Sequence, residues 1–552
     1  MFVRYIGFLL GAAIFVAFAG GCKKSQPEQK SGSQSQEQAQ SFTNSAPGDV
    51  IARIHWLGKK RIAADPNAAG FMGIWNMPET QKLETQTLDK LALAPWDLPR
   101  SGTNLAAIIA TNASSALLRP LLSDLLQEEC YLEIRQPTNQ PGQAVLAIHL
   151  DDQRAATWKN NVSALTNSPI TNYQSQITNL TVSRARQWTL LGFGQSQNAL
   201  VQDFAGRIQR NGAPFAPNPT NYWIDAQVDL KRVSDALSLN WPLPQNTPTN
   251  ITITFIGDGG NVLTRGEFEF PQPLPIELEP WNVPTNLIHD PLIGFSALRG
   301  FRPLLKSFKP WNDLQLGTPP NQAYTWAQHG TPWMHFAAVP SAESSNQVDR
   351  LADFVVRDID PKLTVSRLGA FEKLPGTQHL KWKGVPVFSP DLNWTNIDGN
   401  SYILAGFYSR PLTEQPSPAE LFPQFSGSTN MIWYDWEFSK ESLEGWTPIS
   451  QVVRHAFRLP RFTADPDIVW LLAVATQLGN CVSALKLESP THLSFTRQST
   501  MGFTAPEIPL LLDWLESPKF PSGLHTLLAD PNENPEFTAR PNTNSAAEQK
   551  KP

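Results

Sequence analysis

Two short runs set a tryptophan two residues before a carboxylate: Trp223 and Asp225 in NYWIDAQVDL, and Trp433 and Asp435 in NMIWYDWEF. On one face of a strand, such a ring would stack on a sugar or a peptide while the acid takes its hydrogen bonds. The plainer reading packs the ring on a neighbouring helix and leaves the acid to solvent or a cation. Period two assigns Ile432, Tyr434, Trp436 and Phe438 to one face, and Trp433, Asp435 and Glu437 to the other. The earlier run divides alike, with Ile224, Ala226, Val228 and Leu230 against Trp223, Asp225, Gln227 and Asp229. The apolar sets read as core. The two Trp-x-Asp pairs are the candidate ligand-binding residues.

Other chemistries fail on spacing. The acid pairs Glu267 with Glu269 and Asp435 with Glu437 sit about 7 Å apart on a strand. Any polar-faced strand produces that spacing, so it does not single out a glycosidase. His329 and His335 have no acid or cysteine ligand nearby, and the chain has no H-E-x-x-H and no C-x-x-C. GFSAL at Gly294 lacks the second glycine of a nucleophile elbow. WLGKKR at Gly58 lacks the first glycine of a phosphate loop. GFGQSQNALV at Gly192 has the strand-to-helix setting of a dinucleotide turn, but Gln197 stands where a small residue is needed. DLNWTNIDGN at Asp391 has Asn396 where a calcium loop needs glycine, and Tyr402 in place of its closing glutamate. No catalytic residue, metal or cofactor is expected, although acids brought together only by folding escape such a reading.

The elements that would position these residues fall into two similar series. QAVLAIHLDDQRAATWKNNVSAL reads as a strand and a helix with Ala155, Trp158, Val162 and Leu165 on one face. WMHFAAVPSAESSNQVDRLADFVVRDI repeats that order, with Val348, Leu351, Val355 and Ile359 at helical spacing. The two Trp-x-Asp strands follow in corresponding places. ITITFIGDGGNVLTRGEFEF then forms a hairpin turning at Asp258–Gly259–Gly260, and THLSFTRQSTMGF is its counterpart. The fold class expected is α+β: two tandem similar halves, 49–270 and 287–530, each a largely antiparallel sheet with helices packed on one face. Five prolines in PQPLPIELEPWNVP make 271–286 an extended connector.

The chain starts MFVRYIGFLLGAAIFVAFAGGC, with one cation, a short apolar run and small residues before Cys22. That pattern is a secretory signal over 1–21, too short for a membrane span. AGGC resembles a bacterial lipobox, with Ala19 where the family usually has Leu. The resemblance implies diacylglycerol on Cys22, and Lys23 in place of Asp implies an outer membrane, facing the periplasm or the surface. Residues 22–48 and 531–552 hold too few apolar side chains to fold, and read as a disordered tether and tail. Cys130 and Cys481 are too few for a disulfide framework and read as buried thiols. Net charge is −5, and −6 once Arg4 leaves with the signal, so a nucleic-acid partner is not expected.

Residues 51–96, IARIHWLGKKRIAADPNAAGFMGIWNMPETQKLETQTLDKLALAPW, resemble the start of a family of large uncharacterised bacterial envelope lipoproteins. That family has no assigned activity, so the resemblance implies secretion and no functional residue. Within the stretch, Leu83, Thr87 and Leu91 form one helical stripe. The leading expectation is a non-enzymatic lipoprotein, held to the membrane through Cys22, that binds or scaffolds a glycan, a peptide or an envelope protein. One alternative is a glycan- or peptide-binding module using exposed tryptophans. The other is an envelope hydrolase with dispersed carboxylates, which would need a pocket lined by two acids of raised pKa.

Overall fold

Alternation builds the first strand. In VIARIHW, Ala52, Ile54 and Trp56 point to one face and Ile51, Arg53 and His55 to the other. A computed structural model describes residues 49–94, 105–136, 142–166, 180–194, 197–215, 221–237, 246–329, 334–365, 369–374, 379–384, 390–407, 416–445, 465–516 and 520. Cys22 and the stretches read as signal (1–21), tether (22–48) and tail (531–552) lie outside them.

The fold is α+β around a large antiparallel sheet. Its strands up to the connector are β1 (Val50–Trp56), β2 (Cys130–Arg135), β3 (Gln143–His149), β4 (Leu180–Ala185), β5 (Trp188–Phe193), β6 (Ile224–Val228), β7 (Asn250–Asp258) and β8 (Asn261–Glu269). Those beyond it are β9 (Leu292–Arg299), β10 (Gln322–Gln328), β11 (Met334–Pro340), β12 (Ala370–Leu374), β13 (His379–Lys383), β14 (Asp391–Ile397), β15 (Asn400–Gly406), β16 (Met431–Phe438), β17 (Asn480–Ser489) and β18 (His492–Ser499). An eleven-stranded sheet has the order β16-β17-β18-β8-β7-β6-β1-β2-β3-β5-β4, and a seven-stranded sheet the order β12-β13-β14-β15-β11-β10-β9. Edge strands β16 and β9 lie side by side: Trp433 Nε1 donates to Ser296 Oγ at 2.6 Å, and Arg299 Nε to the Met431 carbonyl at 2.8 Å. The β7–β8 hairpin turns at Gly259 and Gly260, both with positive φ, as a two-residue turn of this kind requires.

The helices are α1 (Lys59–Ile62), α2 (Ala69–Trp75), α3 (Pro78–Leu93), α4 (Leu105–Gln127), α5 (Asp152–Thr166), α6 (Gln197–Asn211), α7 (Leu230–Leu237), α8 (Arg302–Ser307), α9 (Lys309–Asp313), α10 (Ser344–Phe354), α11 (Asp360–Val365), α12 (Pro423–Ser426), α13 (Asp465–Ala475) and α14 (Glu507–Glu516). They do not keep to one face. Leu132 and Ile134 of β2 pack under α3, α4 and α5. Tyr131, one residue away, faces the other way and packs with Leu200, Phe204 and Ile208 of α6. Strands buried on both faces lose the clean apolar–polar alternation that would have signalled this.

On α5 the expected stripe holds: Trp158, Val162 and Leu165 are buried and Ala155 packs beside them. On α3 the buried positions are Leu83, Leu88 and Ala92, with Leu91 partly buried. The stripe expected through Val348, Leu351, Val355 and Ile359 does not form. Ser344, Gln347, Val348 and Ala352 are the buried set, and a π-helical turn over Val355–Ile359 shifts the phase beyond them. The Gln347 amide nitrogen donates to the carbonyls of Leu316 and Thr318, while its Oε1 finds no partner among the described residues.

The stretches before and after the connector share a core. Ile74 and Leu83 join Leu443, Trp470, Val474, Ile508 and Leu512 in one apolar cluster. Trp470 Nε1 donates to Thr80 Oγ1 at 3.0 Å. The connector is extended and strapped down: Leu274 N–H donates to the Pro490 carbonyl, and Arg299 to that of Glu279. Cys130 and Cys481 are free and buried.

Candidate functional site

One row of residues crosses the eleven-stranded sheet on a single face. Directly opposed pairs in an antiparallel ladder project to the same side. The ladders link Ala147, Tyr131, His55, Asp225, Thr254, Arg265, Thr496, Ala484 and Tyr434 in that order. Both ends are covered. Tyr131 lies under the α6 cluster with Phe215, and Tyr434 stacks on Phe425 of α12, ring centroids 5.4 Å apart. The middle is open: Arg265, with Glu267 and Gln498 beside it, is exposed, and Thr254 and Thr496 are half-buried.

At the inner edge of the α6 cover the row becomes a titratable cluster. His55 stacks on Tyr131, centroids 4.2 Å apart, and its Nε2 lies 3.0 Å from Glu129 Oε1. Burial works against the Glu129 charge, but the His55 contact and the Arg61 guanidinium hold its pKa below the usual carboxylate range. Asp225, opposite His55, is 3% exposed, and its Oδ1 finds no hydrogen-bond partner among the described residues. Burial pushes its pKa up to about 7. In the neighbouring rows of the same face, Glu133 is fully buried and accepts from Arg53 at 3.2 Å and Arg207 at 3.2 Å.

The opposite face carries a second buried polar group. Arg497 Nη1 donates to Glu507 Oε2 at 2.8 Å, and its Nε to Ser483 Oγ at 3.1 Å. Glu437 Oε1 accepts from the Ala505 N–H at 2.6 Å and from Ser439 Oγ at 2.9 Å. Burial, then the charge of Asp435, pushes the Glu437 pKa up to about 8. These bonds fasten α14 and the turn before it onto the sheet. Glu437 and Asp225 therefore stand on opposite sides of the sheet; Glu507, whose pKa burial also raises, lies on the Glu437 side, buried and bonded to Arg497.

The candidate residues fare unevenly. Trp223 is 2% exposed, its Nε1 donating to Asp65 Oδ2 at 2.9 Å and its ring 5.2 Å from Phe71. Trp433 is 1% exposed and bonded to Ser296. Neither ring presents a face on which a sugar could stack, because layers cover both sides of their strands. The two Trp-x-Asp pairs are not equivalent either. Asp225 shares a face with Thr254 and Arg265, whereas Asp435 shares one with Ser483 and Arg497. The unbroken pairings bring Tyr434, not Asp435, onto the Asp225 row, and an offset of one residue turns a side chain to the other face.

Several motifs resolve into plain structure. Gly194, in the run read against a dinucleotide turn, has φ 109, and a Cβ there would lie 2.7 Å from the Gly142 carbonyl oxygen. DLNWTNIDGN is β14 turning into β15 through Asp398 and Gly399. His335 is half-buried in β11, and desolvation of its ring pushes its pKa down to about 4. Glu267 meets His492 at 2.7 Å across the β8–β18 ladder. Arg265, Thr496, His55 and Glu129 escaped the sequence reading, since nothing local ties residues this far apart into one row. Among the described residues no three His, Cys, Asp or Glu side chains are grouped to hold a metal, and no helix is long and apolar enough to cross a membrane. No family model, curated protein or solved structure matches the chain.

Proposed function

We propose that the protein is a non-enzymatic lipoprotein of the bacterial envelope, tethered through Cys22, whose body binds or scaffolds a partner over the open middle of the row centred on Arg265 and Thr496. The observation that carries this is a polar, accessible stretch of sheet between two covered ends. It offers donors and acceptors from Thr254, Arg265, Thr496 and Gln498, which suit a hydrogen-bonding partner: a glycan, a peptide or an envelope protein.

The body reads as two tandem similar halves meeting at that place. Outward from the junction, one side runs β8, β7, β6, β1, β2, β3, β5, β4. The other runs β18, β17, β16, then β9 alongside, β10, β11, β15, β14, with β13 and β12 beyond. The same permutation of chain order serves both. Helix α6 precedes β6 and α12 precedes β16, and both cover the face that carries the row. Arg265 opposite Thr496 is the pivot about which the two sides correspond.

The hydrolase alternative draws no support from Asp225 and Glu437, which lie on opposite faces. The membrane reading, like the resemblance of residues 51–96, rests on sequence.

The test has two arms. Cells are fed a palmitate analogue, and label must appear on the wild type and vanish with Cys22→Ala. A photo-crosslinking residue is placed at Arg265, and at exposed Gln153 on α5 as control. A discrete adduct at 265 alone supports the binding face. Equal crosslinking at both sites counts against it, as does loss of cellular function in a folded Asp225→Asn variant.

A further inference from the structure

We infer that the α8–α9 hairpin is a contact for an anionic phospholipid surface. Of the large apolar side chains exposed among the described residues, Leu304 (55%) and Phe308 (53%) stand four residues apart in this one short segment. Leu305 and Trp311 beside them are half-buried, and Trp311 Nε1 donates to the Gly317 carbonyl at 3.0 Å. The base of the hairpin is therefore held while its tip projects.

Charge decides the kind of partner. Residues 301–317 hold three cations, Arg302, Lys306 and Lys309, against one acid, Asp313. Glu277 and Glu279 beside Arg302 and Glu343 beside Gly317 offset the charge at the base, so the cationic excess is at the tip, with Lys306 and Lys309. Lys309 pairs with Asp313, and Arg302 with Glu279, at 2.5 Å each. Lys306 is exposed between the two apolar tips. Apolar side chains that enter the interface with lysines at headgroup level are the signature of a surface-bound segment. The other exposed apolar pair, Val469 and Leu472 on α13, has Asp465 and Asp467 in its helix and no cation. An anionic surface would repel it.

The inference rests on the proposed lipid anchor for its biological setting. Two apolar side chains and a lysine with no ion-pair partner among the described residues bind a bilayer weakly alone. A chain already tethered meets the surface at an effective concentration of roughly millimolar, where a weak contact counts. The 27 residues from Cys22 to Gly48 reach at most about 90–97 Å, longer than the roughly 80 Å spanned by eighteen strands laid edge to edge. Any face of the body can therefore be brought to the membrane.

The test uses the chain from Lys23 onward, made without its lipid, so that a failed anchor and a failed hairpin are told apart. Co-sedimentation is measured at accessible lipid raised to roughly millimolar and above, the concentration the tether would supply, with vesicles of phosphatidylethanolamine and phosphatidylglycerol, and with vesicles of phosphatidylcholine alone. The expected result is binding to the anionic vesicles that weakens as salt rises. It should fall about tenfold or more in the double variant Leu304→Asp, Phe308→Asp with an unchanged Tm, and lose its lipid preference in Lys306→Glu. The inference is overturned if the wild type stays in the supernatant with anionic vesicles, or if the folded double variant sediments as well as the wild type.

Discussion

Arg265 of β8 stands directly opposite Thr496 of β18, at the middle of an eight-pair antiparallel ladder that closes the gap between the chain before the connector and the chain after it. A separate apolar cluster joins Ile74 and Leu83 to Trp470, Val474 and Ile508 across the same divide. The two stretches are thus bound by a ladder and by a core.

They should unfold together. Calorimetry of residues 49–530 is expected to show one cooperative transition, with the β8 and β18 amides among the slowest to exchange with deuterium. Two resolved transitions, or fast exchange in β8, would contradict a shared core.

Asp225 and Glu437 should make the protein less stable as pH rises. Their folded pKa values, about 7 and about 8, lie above the unfolded values of about 3.9 and 4.3. The folded state holds the proton longer, so the stabilisation is complete below pH 4 and is lost as pH climbs through the folded pKa. Each is expected to contribute on the order of 2–4 kcal/mol to that fall. Asp225→Asn should flatten the Tm profile between pH 4 and 7, and Glu437→Gln between pH 4.5 and 8. Profiles as steep as the wild type would show that these carboxyls titrate normally.

Two glycines three residues apart in α2 should respond oppositely to alanine. A Cβ at Gly70 would sit 2.2 Å from the carbonyl oxygen of Gly260 in the hairpin turn, whereas nothing lies within 4 Å of one at Gly73. Gly70→Ala is expected to cost about 1–3 kcal/mol as the turn is pushed away. Gly73→Ala should gain up to about 1 kcal/mol from helix propensity. Urea unfolding of the two variants distinguishes them.

Trp433 should behave as core. Trp433→Phe removes its bond to Ser296 and is expected to cost about 1–3 kcal/mol, and Trp433→Ala about 3–5 kcal/mol. Thermal unfolding measures both. A Trp433→Ala variant of unchanged Tm that had lost a ligand would restore the ring as a binding platform.

Local pattern was enough for much of this. Gly259 and Gly260 declared a hairpin because few other residues accept positive φ twice in succession. Trp158, Val162 and Leu165 declared a helix face because 3.6-residue spacing is a property of the segment itself. The antiparallel α+β character followed from such signals added together. The row from Tyr131 to Tyr434 did not, nor did the placing of Asp225 and Asp435 on opposite sides. Which way a side chain points relative to another several strands away depends on the register of every ladder between them, and pairing between distant segments leaves little trace in sequence. Whether Trp433 is a platform or a core residue depends on what settles over it. That is decided by elements far along the chain, and only the tertiary structure brings them there.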